Sequence, residues 1–449
     1  MSDLLAARSQ MAVSLAFHIV FAVIGIGMPV LMVIAERRWL ATRDPHYLEL
    51  ARRWAKGTAI LFAVGAVSGT VLSFELGLLW PGFMEFAGPI IGMPFSLEGF
   101  AFFMEAIFLG IYLYGWDRIS ERAHLWAGVL VAVSGALSGV FVVIANAWMN
   151  APTGFTVVNG VATGIDPLQA LQTPAAFPQA LHMTLAAYAA TGFGAAGIHA
   201  AMLLRQPANA FHQRGLRIAL LMAIPAALLQ PLSGHHSAGF VAATQPAKFA
   251  AMESLFETQA AAPLLIGGWP DPTRREVRYG VEIPGALSFL ATNDFGATVP
   301  GLDQVPREDW PNVRVTHVAF QVMVACGVVM LAAGLLGWRA LAQRDDLAEH
   351  RRLLRLLVVA APLGFVATEA GWVVTEVGRQ PWVIQGVLRT ADAVTPMPGL
   401  IVPFLGFTVL YLLLAVAVVW LLRRQILGAP NDTEWRRRHE PTTQPTTHG

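Results

Sequence analysis

The 449-residue chain has one cysteine, Cys326, and is poor in charge, with Asp, Glu, Lys and Arg making up 13% of it. A lone thiol excludes an internal disulfide, a Cys-x-x-Cys haem attachment and a thiolate-bound cluster, so any metal must be held by other side chains. So little charge, with 55% hydrophobic residues and a mean hydropathy of +0.55, excludes an ordinary soluble domain. A cleavable leader is also missing. The first apolar run is too long for a signal-peptide core and no short-residue cleavage site follows it, so it reads as a retained anchor with the mature chain beginning near Met1. No internal repeat is visible. The net charge of +1 says little about partners, because the distribution of sign matters more than the sum; no nucleic-acid partner is expected.

What the sequence has instead is apolar runs long enough to span a membrane. A hydrocarbon core of about 30 Å takes roughly 20 helical residues. Nine such runs occur, at 11–34, 57–80, 95–115, 125–148, 178–203, 216–233, 316–337, 355–377 and 400–422. The expected fold is therefore all-α and polytopic, with two four-helix bundles plus one peripheral helix. Numbering the loops alternately, and counting helix-end residues with the nearest loop, puts 21 of the 30 lysines and arginines in one set: 37–56, 116–124, 204–215, 338–354 and the C-terminal tail. Short basic loops stay cytoplasmic, which predicts an outward N-terminus, a cytoplasmic C-terminus and an outward 234–315 segment. Residues 1–424 read as one membrane domain containing that long loop, and 425–449 as a polar, disordered cytoplasmic tail.

Four side chains able to bind iron, His18, His182, Met323 and Glu376, lie in four different runs, each near the same end of its run. His18 sits in Ser-Leu-Ala-Phe-His-Ile-Val-Phe, roughly 15 Å deep at 1.5 Å per residue. His182 lies in Ala-Leu-His-Met-Thr at the outward start of the fifth span. One membrane histidine is as readily a structural one bonded to a neighbouring helix; two at matched depth shift the balance toward haem ligation. Met323 alone would be core filler. Paired with His182 it would close both axial positions of an iron, which suits electron transfer rather than oxygen binding.

Glu98 and Glu105 are two helical turns apart, on one face, about 10 Å along the axis, with no cation in their span. Buried carboxylates of this kind read as proton relays, as weak iron ligands, or as neutral acids bonded to a neighbour. Glu75 reads as interfacial. In Gly371-Trp-Val-Val-Thr-Glu-Val-Gly-Arg-Gln-Pro-Trp382, Pro381 ends a helix and Arg379 is expected to emerge at the outer surface, where it could grip a propionate. Glu376 sits one turn inside, with Trp372 on the same face. An aromatic belt with a snorkelling arginine would look similar. In the long loop, Lys248 and Glu253 would be near neighbours in a helix and offer a donor and an acceptor to a substrate with two hydroxyls; by spacing alone they read as an exposed ion pair.

Together these residues resemble the large haem-bearing subunit, subunit I, of the cytochrome bd family of quinol oxidases, from Arg8 to about Leu422. The most specific motif is Gly378-Arg-Gln-Pro-Trp382 preceded by Glu376. It is supported by Arg8-Ser-Gln10 with His18, Gly69-Thr70 through Trp80, Glu98-Gly99 with Glu105, Asn146-Ala-Trp-Met149, and Gln245-Pro246 with Lys248 and Glu253. The resemblance implies an enzyme of a bacterial cytoplasmic membrane that oxidises quinol and reduces O2 to water. It implies a low-spin haem b on His182 and Met323, with His18 and Glu376 serving two high-spin haems, one a haem b and the other a haem d or a further haem b. It places Glu98 at the oxygen-reducing pocket, Glu105 on a proton path, Trp372 between haems, and Lys248 and Glu253 at quinol. Expected partners are a second large membrane subunit, subunit II, and a small single-helix one. The loop length is that of the short-loop branch. Gln321 stands where many relatives carry arginine, as in the cyanide-insensitive branch. With the ligands in the outer half, protons for oxygen reduction need a conduit from the cytoplasm, while quinol releases its own outside, so a proton motive force arises without pumping. Two rival readings are a membrane cytochrome without oxygen chemistry and a transporter with buried Glu and His residues.

Overall fold

The computed structural model of the chain describes residues 1–343 and 346–427. Among these, nine helical segments are long and apolar enough to cross a membrane. The first four are α1 (Asp3–Thr42), α2 (Pro45–Leu79), α3 (Pro81–Tyr114) and α4 (Glu121–Asn150). A small hairpin of β1 (Thr156–Val158) and β2 (Val161–Thr163) and the short α5 (Pro167–Leu171) lead to α6 (Ala176–Arg205) and α7 (Ala210–Thr244). Next come α8 (Pro246–Glu253), β3 (Gln259–Ala260), β4 (Leu264–Asp271), β5 (Glu276–Ile283), α9 (Ala286–Thr292) and β6 (Thr298–Val299). The chain re-enters the bundle as α10 (Val313–Ala342), then α11 (Arg351–Ala360) and α12 (Leu363–Val377), two pieces of one span that break at Pro362. The pair β7 (Trp382–Ile384) and β8 (Leu388–Arg389), then α13 (Thr390–Ala393), precede α14 (Ile401–Leu427). The polar tail expected at 425–449 lies, from 428 onward, outside the described residues.

Helix starts follow local chemistry. Ser2, Asp44, Ser120 and Asn209 each accept a first-turn backbone N–H, and Pro45 and Pro81 occupy first helical positions, where a missing N–H costs nothing. Several helices run well past their apolar runs, α1 covering 3–42 rather than 11–34 and α2 beginning at Pro45 rather than 57. The third span begins at Pro81 rather than 95, and α7 runs on to Thr244 rather than ending at 233. Pro89, Pro94, Pro225 and Pro231 mark breaks by sequence rules but lie inside these helices, where packed neighbours tolerate them.

α1 to α4 form one four-helix bundle, and α6, α7, α10 and α11–α12 form a second; α14 lies outside, against α1 and α2. This is the expected arrangement. Lipid tails are as apolar as leucine, so close contact between backbones must hold such helices together. A Cβ on Gly192 would fall 2.9 Å from Ala223, and one on Gly364 would collide with Ala190, so small residues set these crossings. Large apolar side chains such as Phe100, Phe103, Leu412 and Val416 point away from the bundles. At the basic end, fully buried Glu36 of α1 meets Nδ1 of His124 on α4 at 2.8 Å.

The segment between α7 and α10 is anchored rather than loose. Phe249, Met252, Leu255 and Phe256 pack with Leu287, Leu302, Val313 and Val374. The His317 ring on α10 reaches two carbonyls, with Nδ1 2.9 Å from that of Met252 and Nε2 3.1 Å from that of Gly267. Gln321 donates to the Leu265 carbonyl at 3.0 Å and accepts from the Gly267 N–H at 2.9 Å. Gln321 thus holds the β4–β5 hairpin against α10.

Candidate functional site

The two histidines are held alike. His18 Nδ1 lies 3.0 Å from the Ser68 hydroxyl on α2, and His182 Nδ1 lies 2.8 Å from the Ser233 hydroxyl on α7. Each serine already donates to its own helix, Ser68 to the Val64 carbonyl at 3.0 Å and Ser233 to the Gln230 carbonyl at 3.1 Å. Each hydroxyl therefore accepts from its imidazole, so the proton sits on Nδ1 and Nε2 keeps its electron pair. The Gln230 amide nitrogen stands beside the ring, 3.2 Å from Nε2 and 3.4 Å from Nδ1, and donates to the His182 carbonyl at 3.3 Å. An imidazole fixed through Nδ1 with Nε2 lone-paired is the ligand-competent state.

Gln10 and Ser14 share the His18 face of α1 at four-residue spacing, and each donates to Glu75 Oε1 at 2.9 Å. Glu75 is buried, not interfacial: its place opposite that polar stripe draws it inward, and its second oxygen has no partner.

Met323 on α10 faces α12, where a Cβ on Gly371 would stand 3.2 Å from its sulfur. The next residue, Trp372, packs against a cluster formed by Ile19, Val23 and Ile26 of α1 with Ala187 and Ala190 of α6, the helices that carry the two histidines. Glu376 at the end of α12 accepts from Asn146 Nδ2 through Oε1 and from Arg379 Nη2 through Oε2, both at 2.6 Å. Arg379 does not emerge at the surface as expected. It is 2% exposed, bonded to Glu376 and set near Lys248 of α8, in a turn where the Trp382 N–H is bonded to its carbonyl at 3.1 Å. Its Nε and Nη1 are buried without partners. Burial pushes its guanidinium below the ordinary range, and the Glu376 carboxylate opposes that shift.

Lys248 and Glu253 lie on one helix, α8, but are neither exposed nor paired with each other; they are 4% and 1% exposed. What spacing alone reads as a surface pair is buried, on a helix that packs into an apolar cluster through Phe249, Ala250, Ala251 and Met252. Lys248 Nζ donates to Asn150 Oδ1 at 2.6 Å, and its stem lies where a Cβ on Gly378 would come within 2.9 Å. Burial, then Arg379, push Lys248 down to about 7, with Glu376 opposing. Both Glu253 oxygens, both polar atoms of the Gln245 amide and the Ser254 hydroxyl are buried without partners, and burial raises Glu253 to about 8. So many unmet donors and acceptors on one short helix are costly to a protein alone and match a polar ligand.

On α3, Glu105 is buried where a Cβ on Gly135 of α4 would come within 3.1 Å, and Glu98, half-buried, accepts from Ser138 of α4 at 3.2 Å. Both face α4, as their seven-residue spacing dictates. A cavity of about 650 Å³ opens elsewhere and is lined by Arg8, Trp310, Gln380, Pro381 and Arg389; none of the four candidate iron ligands borders it.

The residues present fit haem. Nε2 electron pairs are aimed by serines, and glycines of adjacent helices, Gly69, Gly234 and Gly371, face His18, His182 and Met323 respectively. Arg379 adds two buried, unpartnered donors of the kind a propionate takes. Among the described residues, no three of His, Cys, Asp and Glu converge on a bare ion. Sequence reasoning missed Ser68, Ser233, Gln230 and Asn150. Serines in membrane helices usually bond their own backbone and carry no signal, whereas Asn150, one turn beyond Asn146, was the findable one.

The sequence profile of the cytochrome bd terminal oxidase subunit I family matches residues 6–430. A putative cytochrome bd menaquinol oxidase subunit I of Bacillus subtilis is 39% identical over 97% of this chain and 99% of its own length. A cytochrome bd ubiquinol oxidase subunit 1 of the same organism is 33% identical over 96% of this chain and 95% of its own length. The solved bd oxidase of Geobacillus thermodenitrificans superposes with a TM-score of 0.91 at 38% identity, covering 96% of this chain and 99% of that one. The chain therefore belongs to the cytochrome bd terminal oxidase subunit I family, as a multi-pass membrane subunit of a quinol-oxidising oxidoreductase.

Proposed function

We propose that this chain binds quinol at α8 and three haems within its two bundles, and reduces O2 to water. His182 and Met323 would hold a low-spin haem b, and His18 and Glu376 two high-spin haems, one haem b and the other haem d or a further haem b. Arg379 would bind a propionate. Bound haem supplies one-electron transfer and an open iron for oxygen, which side chains cannot provide.

The chain's own residues bind and move protons. Lys248, at about 7, donates a hydrogen bond to one quinol oxygen, and Glu253, at about 8, accepts from the other hydroxyl in its ionised form. Glu105 and Glu98, stacked along α3, carry protons toward the oxygen-reducing pocket, and Trp372 fills the space between the histidine-bearing helices. The clustering of arginines and lysines supports an outward N-terminus and quinol loop, a cytoplasmic C-terminus, and a place in a bacterial cytoplasmic membrane. Protons released at the loop and taken up from the opposite side would generate a proton motive force without a pump. A second large subunit, subunit II, and a small single-helix subunit would complete the complex.

The observation that carries this reading is buried Arg379, bonded to Glu376 and left with two unmet donors. Membership of a terminal oxidase family removes the transporter reading. Pyridine haemochrome analysis of the purified complex, with a carbon monoxide difference spectrum, tests the rest. Three haems and a carbon monoxide response are expected; a spectrum from six-coordinate iron alone would leave only the cytochrome without oxygen chemistry.

A further inference from the structure

Lys248 and Glu376 belong to separate parts of the molecule, the helix after α7 and the end of α12, yet an unbroken file of hydrogen bonds joins them. Lys248 Nζ donates to Asn150 Oδ1 at 2.6 Å, Asn150 Nδ2 donates to Asn146 Oδ1 at 3.0 Å, and Asn146 Nδ2 donates to Glu376 Oε1 at 2.6 Å. An ammonium group can only donate and an ionised carboxylate can only accept, so the two ends fix both amide orientations, and all three bonds run in one direction. Such a file polarises itself, most strongly where water is excluded. Asn150 and Lys248 are 1% and 4% exposed, and the intervening helix, α4, places Asn146 and Asn150 one turn apart on one face.

The approach is close on the other side too. Gly378 has no side chain where a Cβ would stand 2.9 Å from Lys248 Cγ, and Arg379, one residue on, holds the remaining Glu376 oxygen at 2.6 Å. Lys248 and Arg379 thus bracket the carboxylate, one through two amides and one directly.

We propose that Lys248 is a positioning residue for the Glu376 carboxylate, acting through Asn150 and Asn146, so that what binds or discharges the quinol-loop lysine is felt at the haem which Glu376 serves. With one ammonium hydrogen committed to Asn150, two remain for a quinol oxygen. Substrate at Lys248 therefore draws on the same cation that orients the carboxylate. This rests on the reading above in one respect, that Glu376 faces a haem.

The test is spectroscopic and potentiometric, on the purified complex without turnover. Glu376→Gln first identifies the absorption band and midpoint potential that depend on this carboxylate. Asn150→Leu, which cuts the file of hydrogen bonds and leaves Lys248 and Glu376 themselves unaltered, is expected to shift that same band and potential while leaving the low-spin haem band unchanged. Lys248→Met, which keeps the stem against Gly378 and removes the charge, is expected to shift them in the same direction and supplies a second variant. If both variants leave the Glu376-dependent band and potential at native values, the relay is refuted and Lys248 serves quinol alone. If Glu376→Gln itself moves no haem signal, the haem assignment of Glu376 fails, and the relay fails with it.

Discussion

Glu253 is the residue whose replacement gives the most decisive measurement. Its carboxyl is buried with both oxygens unpartnered, and burial raises it from an ordinary 4.5 to about 8. When α8 opens to water the group returns to its ordinary value, so the open state loses a proton at a pH where the closed state keeps it. A raised value is a contribution fully present below 4.5 and lost as pH climbs toward about 8. Closure of α8 should therefore weaken by about 1.4 kcal/mol per pH unit in that interval. Lys248, depressed from 10.5 to about 7, has the opposite sign and adds stability only as pH rises above about 7. Between about pH 5 and pH 7 Glu253 thus acts nearly alone, and the change is about 3 kcal/mol, roughly a hundredfold in the opening equilibrium. Hydrogen exchange of the α8 amides, expressed as protection factors, reads it directly. Protection in the native chain should fall about a hundredfold from pH 5 to pH 7, whereas Glu253→Gln should stay flat and be the better protected form at pH 7. The same variant should oxidise quinol more slowly, because an amide cannot take the quinol proton. Equal slopes in the two proteins would refute the claim that this carboxyl is held neutral by burial.

Two other substitutions probe the spans. Glu105→Gln should slow oxygen-linked turnover while the haem content stays intact, measured by oxygen consumption against haemochrome analysis; unchanged turnover would remove Glu105 from the proton path. Gly371→Ala would set a methyl 3.2 Å from the Met323 sulfur and push the thioether aside, shifting the low-spin haem band with little effect on the other two; an unmoved band would mean that Met323 is core filler.

The sequence by itself determined the number of spans and the family, because long apolar runs and strings of matched motif residues are local properties of the chain. It also singled out His18, His182 and Glu376 as candidates, since polar groups are rare enough in such runs to stand out, and Met323 only through its pairing with His182. Where it misjudged, partners distant in sequence were responsible. Arg379 looks solvent-bound one residue beyond Gly378, but it is buried against Glu376 and near Lys248, which comes from α8 far off in the chain. Lys248 and Glu253 look like a surface pair, but α8 packs through Phe249 and Met252 with distant residues such as Leu302 and Val313, and both side chains are buried. Hydropathy starts the third span at 95 and ends the sixth at 233, yet α3 begins at Pro81 and passes through Pro94, and α7 continues through Pro231 to Thr244. Tertiary structure alone decided which serine aims each imidazole and which two amides join Lys248 to Glu376. Hydrogen bonds between helices depend on rotation and depth, and hydropathy fixes neither, because leucine fits every lipid-facing position equally well while a serine, an asparagine or a glycine acquires its role only from what the opposite helix presents.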